Sequence, residues 1–212
     1  TLEWSDEGAE GAFRFLKRLW RAVHQHVSGG AVAPVLGNSK GSDPFEFTAG
    51  QKELRRLAHQ TLAKVGDDIG RRRTFNTAIA AVMELLNAIA RFEDASPAGR
   101  AVVQEALEIV VLTLSPVVPH VTHALWRELG HERALIDEAW PAHDPAALVQ
   151  DTLTYAVQVN GKLRATISVA ADAPEAAIRE AALADENVRK FVGDKPVKKV
   201  IVVPRKLVSV VV

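Results

Sequence analysis

Cysteine is absent from this 212-residue chain, which removes disulfide frameworks, Cys-ligated zinc, iron–sulfur clusters and thiol catalysis together. Net charge is absent too: 26 basic and 26 acidic residues cancel, so charge balance alone selects no partner. No apolar run approaches the roughly 20 residues needed to cross a bilayer. The first residues, Thr1-Leu2-Glu3-Trp4-Ser5-Asp6-Glu7, lack the basic-then-apolar order of a signal peptide, so a cytoplasmic chain is expected. The usual catalytic sequences are missing as well. There is no GxxxxGK[ST], GxGxxG or HExxH, so no ATP activation and no catalytic residue is expected from these residues.

What is present is an ordinary globular composition, 48% apolar and 25% charged, enough for one or two domains. The charge is unevenly shared. Residues 1–150 carry 16 Lys and Arg against 19 Asp and Glu, whereas 151–212 carry 10 against 7, a modest basic excess that strand or helix periodicity can gather on one face.

Apolar spacing at three and four residues predicts five helices. Glu7–Val27 carries Phe13, Leu16, Trp20, Val23 and Val27 on one stripe. Gly29-Gly30 ends it, and a long loop runs to Gly50. A second helix spans about Ala49–Ile69, with Leu54, Leu57, Leu62, Val65 and Ile69 inward. A third spans Thr74–Phe92, with Phe75, Ile79, Val82, Leu86 and Ile89 inward and Ala78, Leu85 and Ala90 widening the stripe. A fourth opens at Pro97, is apolar on nearly every side and belongs at the centre of a bundle. A fifth runs from Pro119 through Val121, Leu125, Trp126 and Leu129. Between Gly130 and Asp151, Pro141, Pro145 and scattered polar residues read as a connector.

Beyond the connector the period switches to two. Tyr155, Val157 and Val159 alternate with polar or small residues, as do Leu163, Ala165, Ile167 and Val169, with Asn160-Gly161 between them as a hairpin signal. A two-residue turn would set the apolar face of one strand beside the charged face of the other. A three-residue bulged loop pairs Gln158 with Lys162 and Val157 with Leu163 and is the expected solution. Asp172 reads as an N-cap with Glu175 closing a capping box, and the helix that follows turns Ile178, Ala181, Val188 and Phe191 inward. Val197–Val203 and Leu207–Val212 read as strands. The expected fold is α+β in two domains: a bundle of about five helices over 1–150, ending in the connector, then a small ββαββ domain over 151–212.

Few residues suggest chemistry. His120 and His123 have no third ligand nearby and read as capping or packing histidines, so no metal site is expected. Asp67-Asp68 followed by Arg71, Arg72 and Arg73 reads first as a helix-end charge network. Arg14, Lys17, Arg18 and Arg21 share one helical face. They form either a solvated face or a rail of cations for a phosphate backbone, which Arg71–Arg73 would extend. In the tail, Lys162 and Arg164 fall on the face away from the apolar set, and Lys198, Lys199, Arg205 and Lys206 cluster in the last strands. These six are either edge protection or an RNA-binding surface. Trp20, Trp126 and Trp140 read as structural.

Six stretches resemble the C-terminal part of the bacterial-type leucyl-tRNA synthetases. They are Thr1-Leu2-Glu3-Trp4-Ser5-Asp6, Arg14-Phe15-Leu16-Lys17-Arg18-Leu19-Trp20, Asp67-Asp68-Ile69-Gly70-Arg71-Arg72, Phe75-Asn76-Thr77-Ala78-Ile79-Ala80, Leu114-Ser115-Pro116 with Pro119-His120, and Val157-Gln158-Val159-Asn160-Gly161-Lys162-Leu163-Arg164. The Pro119-His120 and Leu125-Trp126 region is shared with the isoleucyl and valyl enzymes; the VQVNGKLRA segment is particular to the leucyl one. The resemblance implies a helical anticodon-binding domain to about residue 150 and a small domain over 153–212 that reaches toward the tRNA elbow. It implies leucine tRNA and the remaining domains of the same synthetase as partners, with no membrane or DNA, and ATP with magnesium as cofactors of the full-length enzyme only. The class I HIGH-type and KMSKS-type sequences and the editing domain are missing, Ser39-Lys40-Gly41-Ser42 being a superficial echo. These residues alone are therefore expected to be inactive. Family enzymes of this type rely little on anticodon bases, which matches a surface read as cations rather than exposed aromatics. A helical protein-interaction module with an α/β appendage is the rival reading.

Overall fold

The computed structural model describes residues 5–33, 47–150, 152–193, 196–204 and 206–212. The chain forms two compact units, 1–148 and 149–212, the first helical and the second built on a sheet, which is the α+β class.

In the first unit α1 (Asp6–Ser28) is capped by Ser5, whose hydroxyl accepts the Gly8 N–H at 3.1 Å, with Asp6 and Glu7 in its first turn complementing the helix dipole. α2 (Ala49–Asp67) opens with a Thr48–Gln51 capping box. It runs into a π-turn, Asp68–Arg72, closed by Arg73 in the left-handed region at φ 55°. α3 (Phe75–Arg91), α4 (Pro97–Leu114) and α5 (Pro119–Glu128) follow, the last two with proline in the first turn, where its missing N–H costs nothing. α4 is buried almost all round from Gln104 to Leu114, the central helix its composition predicts, and Trp126 of α5 is buried against the same core.

Two inward stripes of the helical unit need correction. α1 buries Phe15, Leu19 and Val23, while Phe13 is 56% and Trp20 44% exposed. Phe15, Leu19 and Val23 repeat at a constant four, and this row faces the core; the row through Phe13 and Trp20 lies roughly 100° around the helix, at about 100° per residue. In α3, Phe75 is exposed in the first turn and Ala90 in the last. The segment after α5 is part of the first unit: Leu135 and Ala147 are buried, the Leu135 N–H donates to His123 Nδ1 at 3.3 Å, and Asp144 is tied to α2.

The second unit has β1 (Thr152–Val159), β2 (Lys162–Ala170), α6 (Glu175–Ala184), α7 (Glu186–Val192), β3 (Lys199–Val203) and β4 (Leu207–Val211). The sheet order is β2-β1-β4-β3, with β1 and β4 parallel and the outer pairs antiparallel. Tyr155, Val157, Val159, Ala165, Ile167, Val208 and Val210 meet Ile178, Ala182 and Val188 in its core.

The hairpin solves the phase conflict differently from expectation. Asn160 and Gly161 form a two-residue turn, both with positive φ (48° and 78°), and Val159 pairs with Lys162. The bulge lies one step inside the strand: Gln158 pairs with Leu163 but Val157 with Ala165, so Arg164 is the extra residue. Asn-Gly accepts the turn geometry, and the bulge then restores the apolar register. Asp172 is not a cap. α6 starts at Glu175 behind Pro174, without a side-chain cap. The predicted single helix is broken at Asp185, whose carboxylate caps α7 by accepting the N–H groups of Asn187 and Val188 at 2.9 and 3.1 Å. Phe191 is 48% exposed rather than inward.

Candidate nucleic-acid interface

Gly11–Ser28 contains no Asp or Glu, four Arg and Lys and two His, so most of α1 is free of negative side chains. Arg14, Lys17, Arg18 and Arg21 are all exposed on the side away from Phe15, Leu19 and Val23. Arg14 pairs with Glu10 at 3.1 Å, both side chains about two-thirds exposed, a pair that water screens. Lys17 Nζ sits 4.5 Å from the centroid of the Phe13 ring. Arg18 and Arg21 form no ion pair among the described residues and edge a groove of about 670 Å³ whose other wall includes Asn87, Glu93 and Arg100. Arg100 itself is committed to the end of α1, donating to the carbonyls of Gly29 at 2.8 Å and His26 at 3.0 Å.

The α1 face also holds side chains that the sequence reading assigned to the core. Trp20 lies against His24, ring centroids 4.8 Å apart, and Lys17, Trp20, Arg21, His24, Gln25 and Ser28 line one shallow depression. The expected surface of cations without exposed aromatics is therefore corrected for this helix. The signal was available: a Phe15–Leu19–Val23 row was as good a core stripe, and it leaves Phe13 and Trp20 among the cations.

The π-turn basic group is largely self-neutralised. Arg71 grips Asp67 with two hydrogen bonds, 2.5 and 2.8 Å. Asp68, 1% exposed at its side chain, receives Lys64 Nζ at 2.5 Å, Thr77 Oγ1 at 2.7 Å and Arg72 Nη1 at 3.1 Å. The Lys64 and Thr77 hydrogen bonds push its carboxyl down to about 2. This is the helix-end network first read there, and it leaves Arg73 exposed at its close.

A second buried network holds the segment after α5 in place. Glu105 of α4 receives Arg55 Nε at 2.9 Å and His59 Nε2 at 3.0 Å; Arg55 also reaches Asp144 at 3.0 Å, and the Asp144 N–H donates to His59 Nδ1 at 3.1 Å. With Nδ1 an acceptor, the His59 proton sits on Nε2 and points at Glu105. Burial pushes the Glu105 carboxyl up, but the hydrogen bonds from His59 and Arg55 outweigh it and hold it below its usual range.

In the tail the register separates the predicted cations. Lys162 begins β2 beside the Asn160-Gly161 turn, and the Asn160 N–H donates to the Val210 carbonyl at 2.9 Å. The Lys198 N–H donates to the Val211 carbonyl at 2.8 Å, and Lys199 pairs with Val211. Lys162, Lys198 and Lys199 thus occupy one end of the sheet, the β2 and β3 edges being about 14 Å apart at ~4.8 Å per strand. Lys206 sits at the other turn, its carbonyl accepting the Ala156 N–H at 3.4 Å. Arg205 lies outside the described residues. Arg164 does not share the open face with Lys162: the bulge lays its guanidinium on Phe191 of α7, 3.7 Å from the ring centroid.

Among the described residues no three His, Asp or Glu converge. Among the described residues no helix is long and apolar enough to cross a membrane.

Comparison with known proteins supplies the context for these surfaces. Over 212 residues the chain is 62% identical to the leucine–tRNA ligase of Thioalkalivibrio sulfidiphilus, covering all of this chain and 25% of that protein. The leucine–tRNA ligase of Chromohalobacter salexigens is 57% identical over 211 residues, again all of this chain and 24% of the relative. The chain thus spans about a quarter of the length of these curated relatives. Among solved structures, the LeuRS of Agrobacterium radiobacter K84, crystallised as a ternary complex with tRNA and LeuAMS, superposes with a TM-score of 0.74 at 25% identity. That match covers 99% of this chain and 26% of that one. Residues 51–179 match the anticodon-binding domain of tRNA ligase, well over half of the chain, and the chain belongs to that family.

Proposed function

We propose that this chain is the tRNA-binding C-terminal portion of a leucine–tRNA ligase, positioning leucine tRNA for ATP-dependent aminoacylation by the longer cytoplasmic enzyme. One observation carries the reading: identity above 50% to leucine–tRNA ligases runs over the full length of the chain, helical bundle and sheet unit alike. In this reading residues 1–150 form the anticodon-binding-type domain and 151–212 the smaller tRNA-binding domain.

The surfaces suit that role physically. Cations on α1, at Arg73 and at the hairpin end of the sheet supply phosphate contacts, which position RNA without reading its sequence. Leucine activation needs a phosphate cradle and bound magnesium; the sequence has no GxxxxGK[ST], and among the described residues no three His, Asp or Glu converge. In this reading that chemistry belongs to the remaining domains of the same synthetase, since the chain spans about a quarter of its relatives' length. A titration of leucine tRNA against the purified chain at two salt concentrations tests the reading. Binding whose log affinity falls linearly with log salt is expected. Binding that is absent at low salt would overturn it and leave a protein-interaction module as the better account.

A further inference from the structure

The sequence holds five asparagines, and only Asn160 precedes a glycine. That pairing matters chemically, because glycine has no side chain to keep its backbone nitrogen away from the neighbouring amide. When the Gly161 nitrogen gives its proton to hydroxide and attacks Asn160 Cγ, the Cγ–Nδ2 bond breaks and ammonia leaves, closing a five-membered imide. Water then opens the ring. Cleavage at Cγ yields aspartate and cleavage at the main-chain carbonyl yields isoaspartate; by either route asparagine and water become a carboxylate and ammonia.

The fold leaves this chemistry accessible at the turn between β1 and β2 and yet withholds it. Both residues are exposed, a Cβ built on Gly161 would meet nothing within 4 Å, and the Gly161 N–H makes no hydrogen bond among the described residues. Conformation is the barrier. At φ 48° Asn160 sits in the left-handed well, where ψ is about +47°, so the Gly161 nitrogen lies nearly opposite Cβ across the Cα–C bond. Ring closure needs the two eclipsed. Contacts with the end of β4 hold Asn160 in that well: its N–H donates to the Val210 carbonyl at 2.9 Å, and the Val212 N–H donates to its Oδ1 at 3.2 Å. Main chain and side chain are pinned together.

We infer that Asn160 is a latent deamidation site gated by β4: while the Val212 N–H holds its side chain the asparagine is spared, and release of that contact opens it to conversion. The two products differ. Aspartate keeps an acceptor for the Val212 N–H and suits the turn as asparagine does. Isoaspartate runs the main chain through its side-chain carbons, adding one backbone atom, so the two-residue turn that pairs Val159 with Lys162 is lost. Either product adds a negative charge two residues from Lys162.

The test incubates the whole chain in alkaline buffer, folded and in urea, and follows Asn160 by peptide mapping, which resolves asparagine, aspartate and isoaspartate. In urea Asn160 should convert ahead of Asn187, whose following residue is the β-branched Val188. The folded chain should convert about tenfold more slowly or less still, because the reaction waits for local opening. Val212→Pro removes the N–H donor and follows Val211, which is already extended in β4. It should raise the folded rate by about threefold to tenfold, the equilibrium share of one hydrogen bond. Val212→Ala trims the side chain but keeps the N–H, and its rate should match that of the unmodified chain. An unchanged rate in Val212→Pro, or an equal rise in both variants, would overturn the gate. Equal rates in the folded and urea-unfolded unmodified chain would overturn it with no variant needed, and no conversion of Asn160 in urea would remove the site itself.

Discussion

Removing the Glu105 carboxylate is the sharpest test of what holds the helical unit together. Its side chain is 7% and that of Arg55 13% exposed, and three hydrogen bonds converge on it. In Glu105→Ala the His59 N–H loses its buried acceptor, at a cost of about 1–3 kcal/mol. Arg55 loses one carboxylate partner but keeps Asp144, so the charge penalty falls below the ~3–5 kcal/mol of a fully orphaned buried ion. A total near 3 kcal/mol follows, equivalent to a fall of about 6–12 °C in the melting temperature of a chain this size. The control is Glu10→Ala, which breaks the Arg14–Glu10 pair on the surface, where both side chains are about two-thirds exposed; that loss should stay under about 1 kcal/mol. Thermal melts followed by circular dichroism at neutral pH compare the two. Equal, small effects would refute the claim that burial, rather than pairing as such, sets the cost. A double change of Arg55 and Glu105 to Ala that is no worse than Glu105→Ala alone would show that the penalty is the stranded partner.

Three further outcomes are expected. Gly99→Ala puts a Cβ 2.5 Å from the Asp94 carbonyl oxygen and 2.7 Å from its Cγ. The usual gain of about 1 kcal/mol for Ala over Gly inside a helix should therefore reverse to a loss of about 1–3 kcal/mol in a denaturant melt; a gain would show that the α3–α4 loop moves aside. On acidification, Asp68 has a native pKa of about 2 against an unfolded value near 3.9. Its stabilisation is therefore complete above about pH 4 and lost as pH falls through about 2; Asp68→Asn should flatten the stability profile across that window, and an unchanged profile would count against the Lys64–Thr77–Arg72 cage. Lys162→Ala combined with Lys199→Ala should lower the salt slope of tRNA binding by about one to two units with little change in stability, whereas an unchanged slope with faster aggregation would assign these lysines to edge protection.

How much could be read from the sequence depended on whether one physical demand or two competed for a residue. α4 was legible because apolar residues on every side leave a helix no place but the centre, and the proline starts of α4 and α5 were legible because proline satisfies its first-turn position by itself. α1 was legible as a helix but not in phase. Phe13 and Trp20 make an apolar row as convincing as Phe15, Leu19 and Val23, and only packing against α4 and α5 decides between them. The hairpin shows the same ambiguity in a strand. Asn160-Gly161 demands a two-residue turn while the apolar alternation demands one extra residue; the turn takes its preferred geometry and Arg164 absorbs the difference. Asp185 was missed as a cap because apolar spacing runs smoothly across it, so no period marks the break that its carboxylate stabilises.

The cations divide along the same line between structure and surface. Arg55, Arg71, Arg72 and Arg100 are held by carboxylates or carbonyls, and Arg164 lies on a ring. Each of these completes a local structure, so an RNA phosphate would have to compete with a partner already in place. Arg18 and Arg21 have no such partner among the described residues, and Lys162 and Lys199 stand exposed at the sheet end. Spacing on a helix or strand cannot distinguish the two groups, because it reports which face a side chain shares and not what meets it there. A polyanion binds most tightly where binding displaces counterions and water rather than an intramolecular carboxylate. Under the proposed function, phosphate contacts in the helical unit would therefore fall to the exposed cations of α1 and to Arg73 at the close of the π-turn, and those in the sheet unit, considered by itself, to Lys162 and Lys199.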